Sequence, residues 1–167
     1  MKALFIGRFQ PLHKGHLKII KNASDNFLEI IIGIGSSQYK DTIDNPFTVD
    51  ERKKMIENTL EKNNIKNFKI VTITDIHNPP KWVDHVLSIT SDFDIVISNN
   101  SFTKRLFQEK GYEVNETPLY QKEIYSGKVI RKKIRDGEEW EDLVPTEVAK
   151  LIKKVNGLKR IRNLKEN

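Results

Sequence analysis

Apolar positions along this chain alternate between two rhythms. The unbroken runs Ala3-Leu4-Phe5-Ile6 and Ile30-Ile31-Ile32 have the length and composition of strands covered on both faces. Between them, residues 14–25 repeat apolar side chains at Leu17, Ile20 and Ala23, the spacing of an amphipathic helix. Thr48 with Glu51 three positions later forms a capping box for a helix of about fifteen residues, whose apolar stripe is Val49, Met55, Ile56 and Leu60. Residues 68–74 are a third strand, rich in β-branched side chains. Pro79-Pro80 opens a helix carrying Trp82, Val83, Val86, Leu87 and Ile89, and residues 94–98 are a fourth strand. A helix capped by Ser101 and stopped near Gly111 follows, then a short fifth strand over 112–114. Ser126 caps the next helix, and Pro145 sits in the first turn of the last one. Repeated βα units predict an α/β fold, a doubly wound parallel sheet of about five strands with helices on both faces.

Ligands of such sheets bind beyond the carboxyl ends of the strands, where strand order reverses. Residues 7–16, Gly7-Arg8-Phe9-Gln10-Pro11-Leu12-His13-Lys14-Gly15-His16, leave the first strand and enter the first helix. A helix start favours anions through its amides and its dipole, and this one adds two histidines, an arginine and a lysine. Gly7 is expected to permit the sharp exit from the strand, and Gly15 to leave room for a close ligand. The segment reads as a nucleotide phosphate site. Two histidines also suit a metal, but the chain has no cysteine and no neighbouring carboxylate completes a ligand set.

The absence of cysteine also excludes disulfides and cysteine nucleophiles. No stretch approaches a membrane span, and the N-terminus lacks the order of a signal peptide, so a cytoplasmic protein is expected. The net charge of +6 is not spread evenly. Residues 150–167 carry seven basic side chains against Glu166 alone, while the rest balances. A domain over residues 1–155 and a basic tail over 156–167 are therefore expected. The tail reads as a solvated helix end. Nucleic acid binding is the rival, weakened because no aromatic residues are interleaved there.

The spacing His13-x-Gly15-His16 looks like the HxGH signature of the nucleotidyltransferase superfamily. The longer string Gly7-Arg8-Phe9-Gln10-Pro11 resembles the nicotinamide-nucleotide adenylyltransferases, in particular the short archaeal type. Ser126-Gly127-Lys128-Val129-Ile130-Arg131 resembles the Ser-Gly-Thr-x-Ile-Arg helix start of that family, with Lys128 where the family has threonine. Asn45-Pro46-Phe47-Thr48 resembles its Asn-Pro-Phe-Thr loop.

The resemblance implies a Rossmann-like fold and transfer of the adenylyl group of ATP to nicotinamide mononucleotide (NMN), giving NAD and pyrophosphate. Magnesium would accompany the ATP, held mainly by its phosphates, with no protein metal site. It implies an ATP site of Gly7, Arg8, Phe9, His13, Gly15, His16, Ser126, Gly127 and Arg131. Within that set, His13, His16, Arg8 and Arg131, together with Lys14, would act on the phosphates. Trp82 would stack on the nicotinamide ring, with Asn78 and Asn99 beside it, although Trp82 also reads as a core residue. Arg52 reads equally as a triphosphate contact or as an ion-pair partner. Members of the archaeal type are homo-oligomers, often hexamers. The alternatives are another HxGH adenylyl- or cytidylyltransferase, acting on a flavin, pantetheine or polyol phosphate, and a nucleotide-binding sensor without catalysis.

Overall fold

The computed structural model describes residues 1–118 and 121–165. Its elements run β1 (Lys2–Gly7), α1 (Lys14–Asn26), β2 (Glu29–Ile34), α2 (Val49–Lys62), β3 (Phe68–Thr72), α3 (Pro79–Ile89), β4 (Ile95–Ile97), α4 (Ser101–Glu109), β5 (Glu113–Asn115), α5 (Gly127–Asp136), a 3₁₀ turn (Glu141–Leu143), α6 (Thr146–Lys154) and α7 (Gly157–Asn163). No helix among the described residues is long and apolar enough to cross a membrane.

The chain divides into two compact units. The first comprises Met1–Arg8, Ile19–Ser37 and Asn67–Leu119; the second comprises Phe9–Lys18, Gln38–Lys66 and Tyr120–Asn167. The first unit holds the whole sheet, in the order β3-β2-β1-β4-β5. Each neighbouring pair is parallel, as short strands separated by helices require. The α/β, Rossmann-like sheet expected from the sequence is present. Order reverses between β1 and β4, which places the ligand crevice of this architecture beyond their carboxyl ends.

Strand alternation explains the burial. Leu4, Ile31 and Val96 point to one face and pack with Val83 and Val86 of α3 and Leu106 and Phe107 of α4. Ala3, Phe5, Ile30, Ile32, Ile95 and Ile97 point the other way and are buried too. Each fully buried Leu or Ile is worth about 1.5–3 kcal/mol, so the central strands hold the first unit together.

The second unit is helical. It contains α2, α5, α6 and α7, with Met55, Ile56, Leu60, Ile130, Ile134, Val148 and Ile152 all fully buried. The Thr48–Glu51 capping box is present in both directions.

Three expectations are corrected. The cap of α4 is Asn100, whose side chain accepts from the Thr103 amide, and Ser101 is the first helical residue. Pro145 does not open the last helix, because Asn156 turns the chain through φ = 56° and α7 follows. The segment expected as a solvated tail is tied down there: Ile161 is buried, and Arg162 Nε donates to the Ile134 carbonyl over 3.0 Å.

Candidate active site

His13 is the residue before α1, and His16 is its third helical residue, so both rings sit where a capping box would. They form one with each other. The His16 amide donates to His13 Nδ1, and the His13 amide donates to His16 Nδ1, each over 3.2 Å. The rings stack with centroids 3.6 Å apart and planes 21° from parallel, and Phe9 meets His16 edge-on at 4.8 Å.

A backbone amide can only donate, so both Nδ1 atoms are acceptors. The proton of each neutral ring therefore sits on Nε2, at the far edge of the imidazole. Burial pushes His13 down to about 4. Burial, and then the neighbouring His13, holds His16 well below the usual imidazole value. Near neutral pH this pair is two stacked, uncharged rings, each with its N–H on Nε2.

The sequence reading expected the first amides of α1 to meet an anion. Those of His13 and His16 are instead taken by the imidazoles. Gly15 also has a different reason from the one expected. A Cβ there would stand 3.0 Å from the His13 ring and 3.2 Å from Tyr125 Cβ, so glycine leaves the stacked ring its room. Gly7 is an ordinary strand residue whose carbonyl accepts from the Gly35 amide. The sharp turn falls at Phe9, with φ = 52°, followed by a cis Gln10–Pro11 bond.

The same unit holds the second motif. Ser126 accepts from the Val129 amide and caps α5. Arg131, one turn on, is 4% exposed. Its Nη1 donates to the Gln10 carbonyl over 2.8 Å, and its Nη2 lies 3.6 Å from Asp44 Oδ1. Arg131 is therefore set apart from the solvated side chains of α5 and fixes the loop before His13. Gly127 is required by the same contact, since a Cβ would lie 2.7 Å from Arg131 Nη1 and 3.1 Å from the Gln10 carbonyl oxygen. Lys128 is exposed and Lys14 half-buried.

Gln10 is the residue that sequence reasoning left without a role. Its amide grips Phe47 in both directions, Nε2 donating to the Phe47 carbonyl and Oε1 accepting from the Phe47 amide, each over 2.9 Å. Nothing in the spacing marks this pair, which lies 37 residues apart. Arg52 is fully buried, with Nε on the Thr48 carbonyl and Nη2 on the Tyr39 carbonyl. These carbonyl contacts fit the structural one of its two expected readings.

A cavity of about 430 Å³ lies in the first unit, at the carboxyl ends of β1 to β4. Gly7, Arg8, Ser36, Asp75, Asn78 and Trp82 are among the residues that line it. Trp82 packs T-shaped against Phe107 of the core, ring centroids 5.7 Å apart, and is a half-buried lining residue of the cavity. Asn78 precedes α3 without a side-chain capping bond. Asn99 is not among the residues that line the cavity; its side-chain amide pairs with Thr117, donating to Oγ1 over 2.9 Å and accepting from the backbone amide over 2.8 Å. Sequence reasoning missed Asp75, which accepts from Ser36 Oγ over 2.8 Å, and His77, a lining residue at φ = 51°. Their only signal was position, between a strand end and Pro79.

Comparison with known proteins gives consistent results. A family model described as cytidylyltransferase-like matches residues 4–133. The nicotinamide-nucleotide adenylyltransferase of Thermoplasma acidophilum is 47% identical over 163 residues, 98% of this chain and 91% of that protein. The protein of the same name from Methanococcus maripaludis is 49% identical over 166 residues, 99% of this chain and 96% of that one. Among solved structures, the fold matches a bifunctional NMN adenylyltransferase/ADP ribose pyrophosphatase from Francisella tularensis, complexed with AMP and a manganese ion. The TM-score is 0.79 and the identity 26%, with 96% of this chain covered. This chain spans about half of that bifunctional protein, 51%.

Proposed function

The chain belongs to the cytidylyltransferase-like family, and from that premise we propose that it is a nicotinamide-mononucleotide adenylyltransferase, forming NAD and pyrophosphate from ATP and NMN. The observation that carries the reading is the crossed histidine pair. Two neutral Nε2–H donors held side by side suit phosphate oxygens, and their backbone bonding prevents either ring from turning its acceptor outward.

The 5′-phosphate of NMN is already an anion at neutral pH and attacks the α-phosphorus of ATP directly. The new P–O bond forms as the bond to the β-phosphate oxygen breaks, and pyrophosphate leaves with that electron pair. No strong base is needed, so catalysis is positioning and charge stabilisation. His13 and His16 donate to α- and β-phosphate oxygens as charge builds there. Lys14 adds a cation at the start of α1, with the Ser126–Gly127 helix start as a further anion contact.

Arg131 acts by holding the Gln10 carbonyl and thereby the loop. Arg8 lines the cavity that takes NMN, where Trp82 offers its indole face to the cationic pyridinium ring and Asn78 supplies a polar edge. The donor set suits anions, so the magnesium ion comes with ATP on its phosphates, where it neutralises charge. We place this activity in a cytoplasmic homo-oligomer, a hexamer by resemblance.

The test is pyrophosphate release from magnesium and ATP with NMN, nicotinate mononucleotide, flavin mononucleotide or phosphopantetheine as acceptor. A pyridine mononucleotide is expected to give the fastest release. Release with only another acceptor would keep the phosphate site and remove the NMN assignment. ATP binding without release would point to a sensor.

A further inference from the structure

We propose that Arg160, on the C-terminal helix α7, is a positioning residue for the histidine pair, acting through Glu51 and the Phe47–Gln10 clamp. This rests on the reading of His13 and His16 as phosphate donors. Every residue in the chain of contacts lies in the second unit.

Arg160 makes a two-pronged bond to Glu51, Nη1 to Oε1 over 2.6 Å and Nη2 to Oε2 over 3.0 Å. The same nitrogens donate to the Pro46 and Val155 carbonyls over 3.1 and 3.3 Å. An exposed ion pair does little, but this one is partly buried and bidentate, with four acceptors filled. Burial pushes the Glu51 carboxyl up, yet the bonds from Arg160 and Thr48 outweigh it and hold the pKa below the ordinary value.

The far side of the grip is Phe47. The Arg160 guanidinium lies 6.0 Å from the centre of its ring. At the start of α7, Gly157 comes so close that a Cβ would stand 3.1 Å from Phe47 Cε1. Phe47 is fully buried, and its backbone is locked to the Gln10 amide in both directions. Gln10 is in turn held from the other side by Arg131, three residues before His13. A shift of the 45–51 segment therefore has no slack in which to be absorbed before it reaches the histidine loop. Arg160 thus ties the basic segment that composition marked out to the 46–51 segment that clamps Gln10.

The test uses the full-length protein with Arg160→Met, Arg160→Lys and Glu51→Gln. Each variant is followed by thermal melting, by kcat and KM for both substrates, and by NMR of the histidine ring nitrogens. For Arg160→Met the expected result is a kcat roughly 10- to 100-fold lower, the scale of loss for small misplacement of catalytic groups. The KM for NMN should stay near wild type, and the His13 titration should move up from about 4. Arg160→Lys keeps the charge but not the fork, and should restore only part of kcat. If Arg160→Met does not fold, Glu51→Gln carries the same readings, since glutamine still accepts from the Thr48 amide.

A lower melting temperature with unchanged kcat and unchanged histidine spectra would overturn the proposal and leave a stabilising ion pair only. If the wild-type protein made no NAD, the functional reading would fail, while the histidine spectra would still decide whether Arg160 positions the pair.

Discussion

At the scale of single residues, the two imidazoles carry the account because their backbone partners settle their protonation. Removing one donor to developing transition-state charge costs roughly 10²–10³ in rate. His16→Ala is therefore expected to lose that much kcat while remaining folded, and near-wild-type turnover would refute the assignment. The depressed pKa values also set a sign for stability. Both histidines prefer to be neutral when folded, so the unfolded chain binds more protons between the two pKa values. Their contribution is complete above pH 6.5 and drains away as pH falls toward about 4. Denaturation across that window should show a smaller loss for the His13→Asn/His16→Asn double variant than for the wild type; equal losses would contradict the burial argument. Trp82→Phe is expected to raise the KM for NMN and leave that for ATP unchanged in steady-state kinetics, because the stacking face shrinks while the edge toward Phe107 is kept. The letters of the histidine pair are legible in the sequence. Their crossed bonds are not, because imidazole orientation depends on rotamers and on the absence of a Cβ at position 15.

Elements were read best where a chemical signal marks their ends. The Thr48–Glu51 box and the Ser126 cap were both legible, since each places a side-chain oxygen where a free amide must be met. The start of α4 misled by one position, because Asn100 and Ser101 are both good caps and only the backbone decides between them. The role of Gln10 was invisible for a different reason: its partner Phe47 is distant in sequence, and a two-way amide clamp has no periodicity. Ser126→Ala is expected to cost about 1 kcal/mol, measured by urea denaturation. Gly127→Ala should do more to activity than to stability, because its Cβ would press on Arg131 Nη1 and the Gln10 carbonyl together. Melting and turnover measured on the same preparation separate the two effects.

At the scale of the molecule, the strand order puts the cavity where doubly wound sheets bind ligands. That much followed from the alternation of short apolar runs with helical stripes. The grouping of the chain into two units did not, because the second unit is assembled from stretches that are separated in sequence. Composition set residues 150–167 apart by charge, but it took Ile161, Arg160 and Arg162 in place to show that helix α7 within that segment belongs to the fold. The central claim is that this chain makes NAD, and the most direct measurement is NAD itself, detected in a reaction of magnesium, ATP and NMN with the wild-type protein and with His16→Ala. NAD is expected to form in step with pyrophosphate in the wild type, and at a rate lower by roughly 10²–10³ in the variant. Pyrophosphate released without NAD, or NAD formed equally well by both proteins, would contradict it.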